Sequence, residues 1–300
     1  MELIKSLKKI KEIYSKGGNM IQYMNKITNA DNNSLESIQI SYDFQAGSYI
    51  KKSASLSDFE KDYAKKIVEL FNKYNDYGSI LEAGVGEATT LYRILEQLKK
   101  SSEAYGFDIS WSRIKYALSY LASKNINHVN LFMGDLFNIP MQDNSVDLVY
   151  TWHSLEPNGG REKEALMELY RITGKYLFVF EPSCELGNSD TKKYIDEHGY
   201  VKNLSQIARE LGYEILEHNI FIEKHPFTSN NTSVLIIRKN NTAKQKTSIP
   251  YACPVTKTPL ELIRNNYFSK DSMLLYPVID GIPCLIPNNA IIATHYLDTI

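Results

Sequence analysis

Glu82, Asp108, Asp135, His153 and Glu181 each stand at or just past the end of a short apolar run, and Gly84 and Gly86 follow the first of these runs in "SILEAGVGEATTL". A Gly-x-Gly turn that leaves a strand and opens a helix lets a ligand come close to the backbone. Two ligand classes suit such a turn. A dinucleotide's pyrophosphate needs backbone N–H donors and no nearby carboxylate, and its fingerprint has a third glycine where this chain has Thr89. Glu82, two residues before Gly84, and Glu87 inside the loop would repel a pyrophosphate at short range.

A ligand carrying an ammonium and a sulfonium but no phosphate suits that charge pattern better, and S-adenosylmethionine (SAM) is such a ligand. The next run, "AYGFDIS", ends in Asp108 with Ile109 behind it; a carboxylate there accepts both hydroxyls of a ribose. In "VNLFMGDLFNIP", Gly134 and Asp135 follow the third run. Asp135 is placed to accept an adenine amine, with Met133 and Leu136 on the faces of the ring. Methyl transfer from a sulfonium needs alignment first, and a base only where the nucleophile must lose a proton. In "YTWHSLEPNGG", His153 is the candidate base, Glu156 its orienting partner, and Glu181 after "LFVF" a second carboxylate on the same edge. Upstream, Tyr42, Gln45 and Tyr49 in "SYDFQAGSYI" are candidates for a lid, with Tyr49 over the cofactor.

The elements that must hold these residues alternate. Apolar runs at "SILEA", "EAYGFDI", "VNLFMG", "SVDLVYTW" and "KYLFVFE" are separated by helical patterns over 89–99, 111–124 and 162–172, which predicts a parallel α/β sheet. Runs as continuous as "DLVYTW" and "YLFVF" fit strands covered on both faces. A further helix, "NLSQIARELG", leads to "YEILEHNIFIE" and "TSVLIIRK", which read as a closing antiparallel pair. Before the sheet, a helix is expected over 57–74. The first sixteen residues form a basic amphipathic helix, expected to pack on the protein.

Composition narrows the class. A net charge of −1 gives no global field for nucleic acid, and no apolar run is long enough to span a membrane or serve as a secretory signal. Cys184, Cys253 and Cys284 are too scattered for a disulfide framework, which points to the cytoplasm. The polar stretch "KNNTAKQKTSIP" reads as a linker. Beyond it lies a short proline-marked unit, residues 251–287.

In order and spacing, "LEAGVGEAT", "GFDIS", "GDLFNIPMQDNSVDLVYTWHSLE" and "LFVFEP" resemble the motifs of class I SAM-dependent methyltransferases. The resemblance covers about residues 78–184. It implies a Rossmann-like, seven-stranded, mostly parallel α/β sheet with SAM as cofactor. It also implies that Glu82, Gly84 and Gly86 line the methionine side, Asp108 the ribose and Asp135 the adenine. Ala88 stands where many members have glycine. The tail, "YACPVTKTPLELI" followed by "LLYPVIDGIPCLIP", resembles a small zinc-ribbon-like module related to the activator subunit of tRNA, rRNA and translation-factor methyltransferases. Thr256 replaces its second cysteine and no further Cys pair follows, so no metal is expected there. Leu260, Leu262, Leu275, Tyr276, Val278, Ile282 and Leu285 would form its core.

The expected organisation is a helical and lid extension over 1–56, a SAM-binding domain over 57–240, a linker over 241–248 and an α+β module without zinc over 249–300. The expected activity is methyl transfer to a small-molecule or glycan-precursor acceptor. Transfer to tRNA, rRNA or protein, and a non-catalytic SAM-binding scaffold, are the alternatives.

Overall fold

The computed structural model describes residues 2–29, 34–74, 76–98, 102–223, 230–239 and 250–298. The expected linker, 241–248, lies outside the described residues. Six helices open the chain: α1 (Glu2–Lys5), α2 (Leu7–Ser15), α3 (Met20–Thr28), α4 (Leu35–Phe44), α5 (Ser48–Ser55) and α6 (Ser57–Lys73). The expected first helix is broken at Ser6. Its apolar stripe is divided accordingly, with Leu3 and Ile10 buried among Met20, Met24 and Ile40 while Ile4 faces solvent. The "SYDFQAGSYI" segment is the α4–α5 corner rather than a loop, with Gly47 at φ +88° making the turn.

Then the chain alternates: β1 (Ser79–Ala83), α7 (Thr89–Gln97), β2 (Glu103–Asp108), α8 (Trp111–Ser123), β3 (Val129–Met133), β4 (Val146–Trp152), α9 (Glu162–Ile172) and β5 (Thr173–Glu181). Helices α10 (Ser189–His198) and α11 (Leu204–Glu210) precede β6 (Glu214–Ile222) and β7 (Thr232–Arg238). The sheet order is β3-β2-β1-β4-β5-β7-β6; β1 to β5 run parallel and β7 pairs antiparallel with both β5 and β6. All of β1 and nearly all of β4 is buried, as strands covered by helices on both faces must be. The order reverses beside β1, so the carboxyl ends of β1, β2 and β4 open a crevice there, the place where open α/β sheets bind ligands.

The last fifty residues form a four-stranded antiparallel sheet, ordered β13-β10-β9-β8, and a β11–β12 hairpin: β8 (Glu261–Ile263), β9 (Asn266–Ser269), β10 (Leu274–Tyr276), β11 (Val278–Ile279), β12 (Ile282–Pro283) and β13 (Ile291–Ile292). This unit covers the β3 edge of the large sheet. Cys284 pairs with Met133, the Leu285 N–H donates to the Met133 carbonyl (3.1 Å), and Gln142 N–H donates to Pro250 (2.8 Å). Tyr251 packs its ring 5.0 Å from Phe132, so Tyr251, Leu260, Tyr276 and Leu285 share one apolar core with the sheet. An exposed strand edge invites wrong pairing, and this edge is occupied. Leu262, expected in the core, is half exposed, because β8 is the outer strand and turns that side chain outward. Cys253 is buried against the hydroxyls of Ser272 (3.5 Å) and Tyr276 (3.3 Å).

A charge network ties the same unit to α9. Glu168 accepts from Arg171 (3.0 Å), from Lys257 (2.8 Å) and from the Ile139 N–H (2.9 Å). Burial alone would push its carboxyl up; the Arg171 and Lys257 hydrogen bonds overcome that and hold it below the usual value. The stabilisation is therefore present above the ordinary glutamate range and lost as pH falls through the lowered value. Glu168→Gln is expected to cost about 1–3 kcal/mol at neutral pH in urea unfolding and to cost less at acidic pH.

Candidate functional site

The acids and the histidine converge on that crevice because each follows a strand of the same parallel set. They open onto one cavity of about 610 Å³. Glu82, Gly84, Gly86, Asp108, Ile109, Gly134, Asp135, Leu136, Tyr49, His153 and Glu156 all line it, and Glu181 does not. Helices α4, α5 and α6 roof it through Leu35, Ile38, Tyr42, Leu56, Phe59 and Tyr63. Of the expected lid residues, Tyr42 and Tyr49 face the cavity and Gln45 is not among its lining.

The glycines answer to close packing or to left-handed backbone. Gly84 has φ +76°, and a Cβ on it would stand 2.3 Å from the Ser154 Cβ. Gly86, at φ +54°, donates its N–H to Asp108 (3.1 Å). Ala88 adopts the same left-handed conformation, φ +59°, fully buried at the start of α7, so its small side chain carries the strain that glycine would avoid. Gly134 packs so that a Cβ would stand 3.1 Å from the Phe107 ring.

Glu82 is almost fully buried and accepts from the Tyr150 hydroxyl (2.9 Å). Burial pushes its carboxyl up to about 8, against the lowering pull of Tyr150 and of the Leu91 N–H. Asp108 is also raised by burial; it accepts from the N–H groups of Ser110 (2.9 Å) and Gly86. Asp135 accepts from the Phe137 N–H and the Asn138 amide, both at 3.0 Å, which fixes the turn after β3.

On the far side, His153 follows β4 at φ +54°, a strained conformation for a side chain of this size. Its Nδ1 meets Glu156 and its Nε2 lies 2.8 Å from the Thr232 hydroxyl. Burial lowers its pKa, but the Glu156 charge and hydrogen bond outweigh that, and the net shift is upward. Glu181 accepts from the backbone N–H groups of Ser154 (3.1 Å), Leu155 (3.1 Å) and Glu156 (3.2 Å), so it holds the loop rather than the cavity. Burial and the Glu156 charge push its carboxyl up.

Several lining residues escaped the sequence reading. Tyr63 and Trp152 stack at 4.4 Å with Phe59 edge-on to Tyr63, making an aromatic wall; their spacing in sequence gives no sign of this meeting. Arg113 carried a signal that the reading passed over: it shares the helical stripe of Ala117 and Leu121, and a charged residue on a buried stripe stands out. Glu87 is buried and accepts from the N–H groups of Gly47 (2.9 Å), Tyr49 (3.3 Å) and Ile50 (2.8 Å). Asp43 in turn accepts from the Ser110 hydroxyl (2.7 Å) and from Ser112. The roof is thus fastened to the loops after β1 and β2.

A methyltransferase-domain family matches residues 80–175, the stretch from β1 to the start of β5. Among solved structures, the fold is similar to magnesium protoporphyrin IX methyltransferase from Synechocystis PCC 6803 with bound SAH. That likeness has a TM-score of 0.52 and 12% identity over 67% of this chain and 99% of the other. It is also similar to a chain in a complex between the Haloferax volcanii Trm112 methyltransferase activator and a methyltransferase, with a TM-score of 0.50 and 14% identity over 68% of this chain and 98% of the other. A stretch of 55 residues, 18% of this chain, is 44% identical to a UPF0434 protein of Nitrobacter winogradskyi and spans 83% of it. Among the described residues, no helix is long and apolar enough to cross a membrane, and no group of three or more His, Cys, Asp or Glu residues could hold a metal ion.

Proposed function

We propose, for a chain that is a SAM-dependent methyltransferase, that the acceptor is a small molecule taken into the roofed cavity. The observation that carries this is the enclosure: helices α4, α5 and α6 roof a volume of about 610 Å³, within the range of small-ligand sites. The donor half fits SAM. Gly84 and Gly134 leave backbone surface where a Cβ would collide or crowd, Gly86 holds a left-handed turn, and Glu82 and Asp108 offer carboxylates to a cation and to ribose hydroxyls. Asp135 and Leu136 would hold the adenine, Ile109 the ribose, and Tyr49 would cover the cofactor, all four lining the cavity. When bound, SAM supplies an electrophilic methyl group.

The chain's own part is alignment and proton handling. Glu156 holds the His153 ring through Nδ1, leaving Nε2 as the atom that takes a proton from an acceptor hydroxyl or amine once the acceptor replaces the Thr232 contact. Glu181 positions that loop through three backbone N–H groups. The N-terminal roof, the sheet domain and the C-terminal unit are three parts of one enzyme, the last closing the β3 edge.

The test combines calorimetry with label transfer. S-adenosylhomocysteine (SAH) should bind, and Asp108→Ala should weaken it at least about tenfold, since two charged hydrogen bonds are removed. Methyl label from SAM should then enter the low-molecular-weight fraction of a cell extract. Label in tRNA, rRNA or protein would reject the small-molecule acceptor, and binding without any transfer would favour a scaffold.

A further inference from the structure

Arg113 is a buried cation in no direct ion pair among the described residues. Arg93, Arg161, Arg171 and Arg238 each form an ion pair, while Arg113, only 6% exposed, forms none among the described residues. A buried guanidinium without a paired anion is costly and rare. Asp108, the acid whose charge it feels, has its oxygens on the Gly86 and Ser110 N–H groups. The guanidinium is nonetheless held firmly. It lies over the rings of Tyr42 (4.3 Å) and Tyr49 (4.5 Å), and its Nε donates to the Tyr42 carbonyl (3.2 Å). Its Nη2 is buried with no hydrogen-bond partner, and its Nη1 stands 3.6 Å from where a Cβ on Gly86 would be. Lys52 lies over the same Tyr49 ring at 5.6 Å, and both cations line the cavity. Ring stacking fixes the guanidinium plane and leaves its edge for a planar anion.

We propose that Arg113, with Lys52 beside it, anchors a ligand carboxylate inside the roofed cavity, an inference that rests on the SAM reading of the donor half. Two carboxylates qualify: that of the donor's methionine part, and that of an acidic acceptor lying against the Phe59–Tyr63–Trp152 wall.

The experiment compares three probes on the full chain and on Arg113→Met: SAH, 5′-methylthioadenosine, which keeps the adenosine but lacks the carboxylate, and benzoate added to SAH-saturated protein. A donor anchor gives SAH weakened about 10- to 100-fold with 5′-methylthioadenosine within twofold of the unaltered chain. An acceptor anchor leaves both adenosine ligands unchanged and abolishes benzoate binding. Equal weakening of SAH and 5′-methylthioadenosine, or no change in any probe, overturns the proposal. If the unaltered chain binds neither adenosine ligand, the SAM reading has failed. Benzoate alone then decides: bound and lost in Arg113→Met supports the anchor, and not bound overturns it. Should Arg113→Met fail to fold, Arg113→Lys carries the same comparison, with SAH weakened severalfold and 5′-methylthioadenosine unchanged.

Discussion

Gly84→Ala is expected to lower stability by about 2–5 kcal/mol and to cost most of the SAH affinity. Two effects add. The left-handed backbone at φ +76° disfavours any side chain by roughly 1–2 kcal/mol. The added methyl group would also stand 2.3 Å from the Ser154 Cβ, an overlap that forces the loops after β1 and β4 apart at about 1–3 kcal/mol. Those loops form the two walls of the cavity, so the same displacement widens the donor site. The sharper form of the prediction is a double-mutant cycle. Ser154→Gly removes the opposing Cβ, though it forfeits the hydrogen bond from the Ser154 hydroxyl to Ala83 (2.7 Å). In the Gly84→Ala/Ser154→Gly chain the steric part should be recovered and the backbone part should remain, giving a favourable coupling of about 1 kcal/mol or more. Additive losses would mean that the loops yield freely and that the contact is incidental.

SAH affinity is expected to rise with pH. Burial holds the Glu82 carboxyl up to about 8 in the empty protein, so at pH 6–7 it is mostly protonated. The ammonium of the ligand favours the carboxylate, and binding must then release a proton. Affinity should therefore climb by up to about tenfold per pH unit between pH 6 and 8 and level off above 8. Calorimetry in buffers of different ionisation heat would register the released proton directly. Glu82→Gln should flatten the profile and bind weakly at every pH. Tyr150→Phe removes a hydrogen bond that favours the carboxylate, and should shift the rise to higher pH. The empty protein shows the opposite trend: its folded-state value is above the ordinary 4.5, so this group's contribution to stability falls as pH rises from about 4.5 toward 8. A pH-independent affinity would show that the donor's charge does not reach Glu82.

The heart of the sheet was readable because β1, β2, β4 and β5 are short, largely apolar runs each followed by a helix of correct period, and burial on both faces leaves little freedom in where such runs go. The acids at the strand ends were readable for the same reason: once β1, β2 and β3 are parallel neighbours, Glu82, Asp108 and Asp135 fall along one crevice. The roof was not. Helices α4 and α5 bury Ser37, Ser41 and Ser53, which a hydropathy pattern scores as surface, and the helical period of α4 is faint. Glu181 was read as a second candidate carboxylate because it ends a strand at the open edge. Nothing local reveals that the loop after the neighbouring strand β4 points three N–H groups at it. Roles that depend on two distant segments meeting, such as Glu87 with Gly47 or Tyr63 with Trp152, have no signature in either segment alone.

The Glu87 contact also bears on chain entropy. The free N–H groups at the start of α5 would otherwise face water, and the glycine loop's own carboxylate satisfies them. Roof and glycine loop therefore order together, as one cooperative unit, and a ligand reaching the ordered pocket has little chain entropy left to freeze.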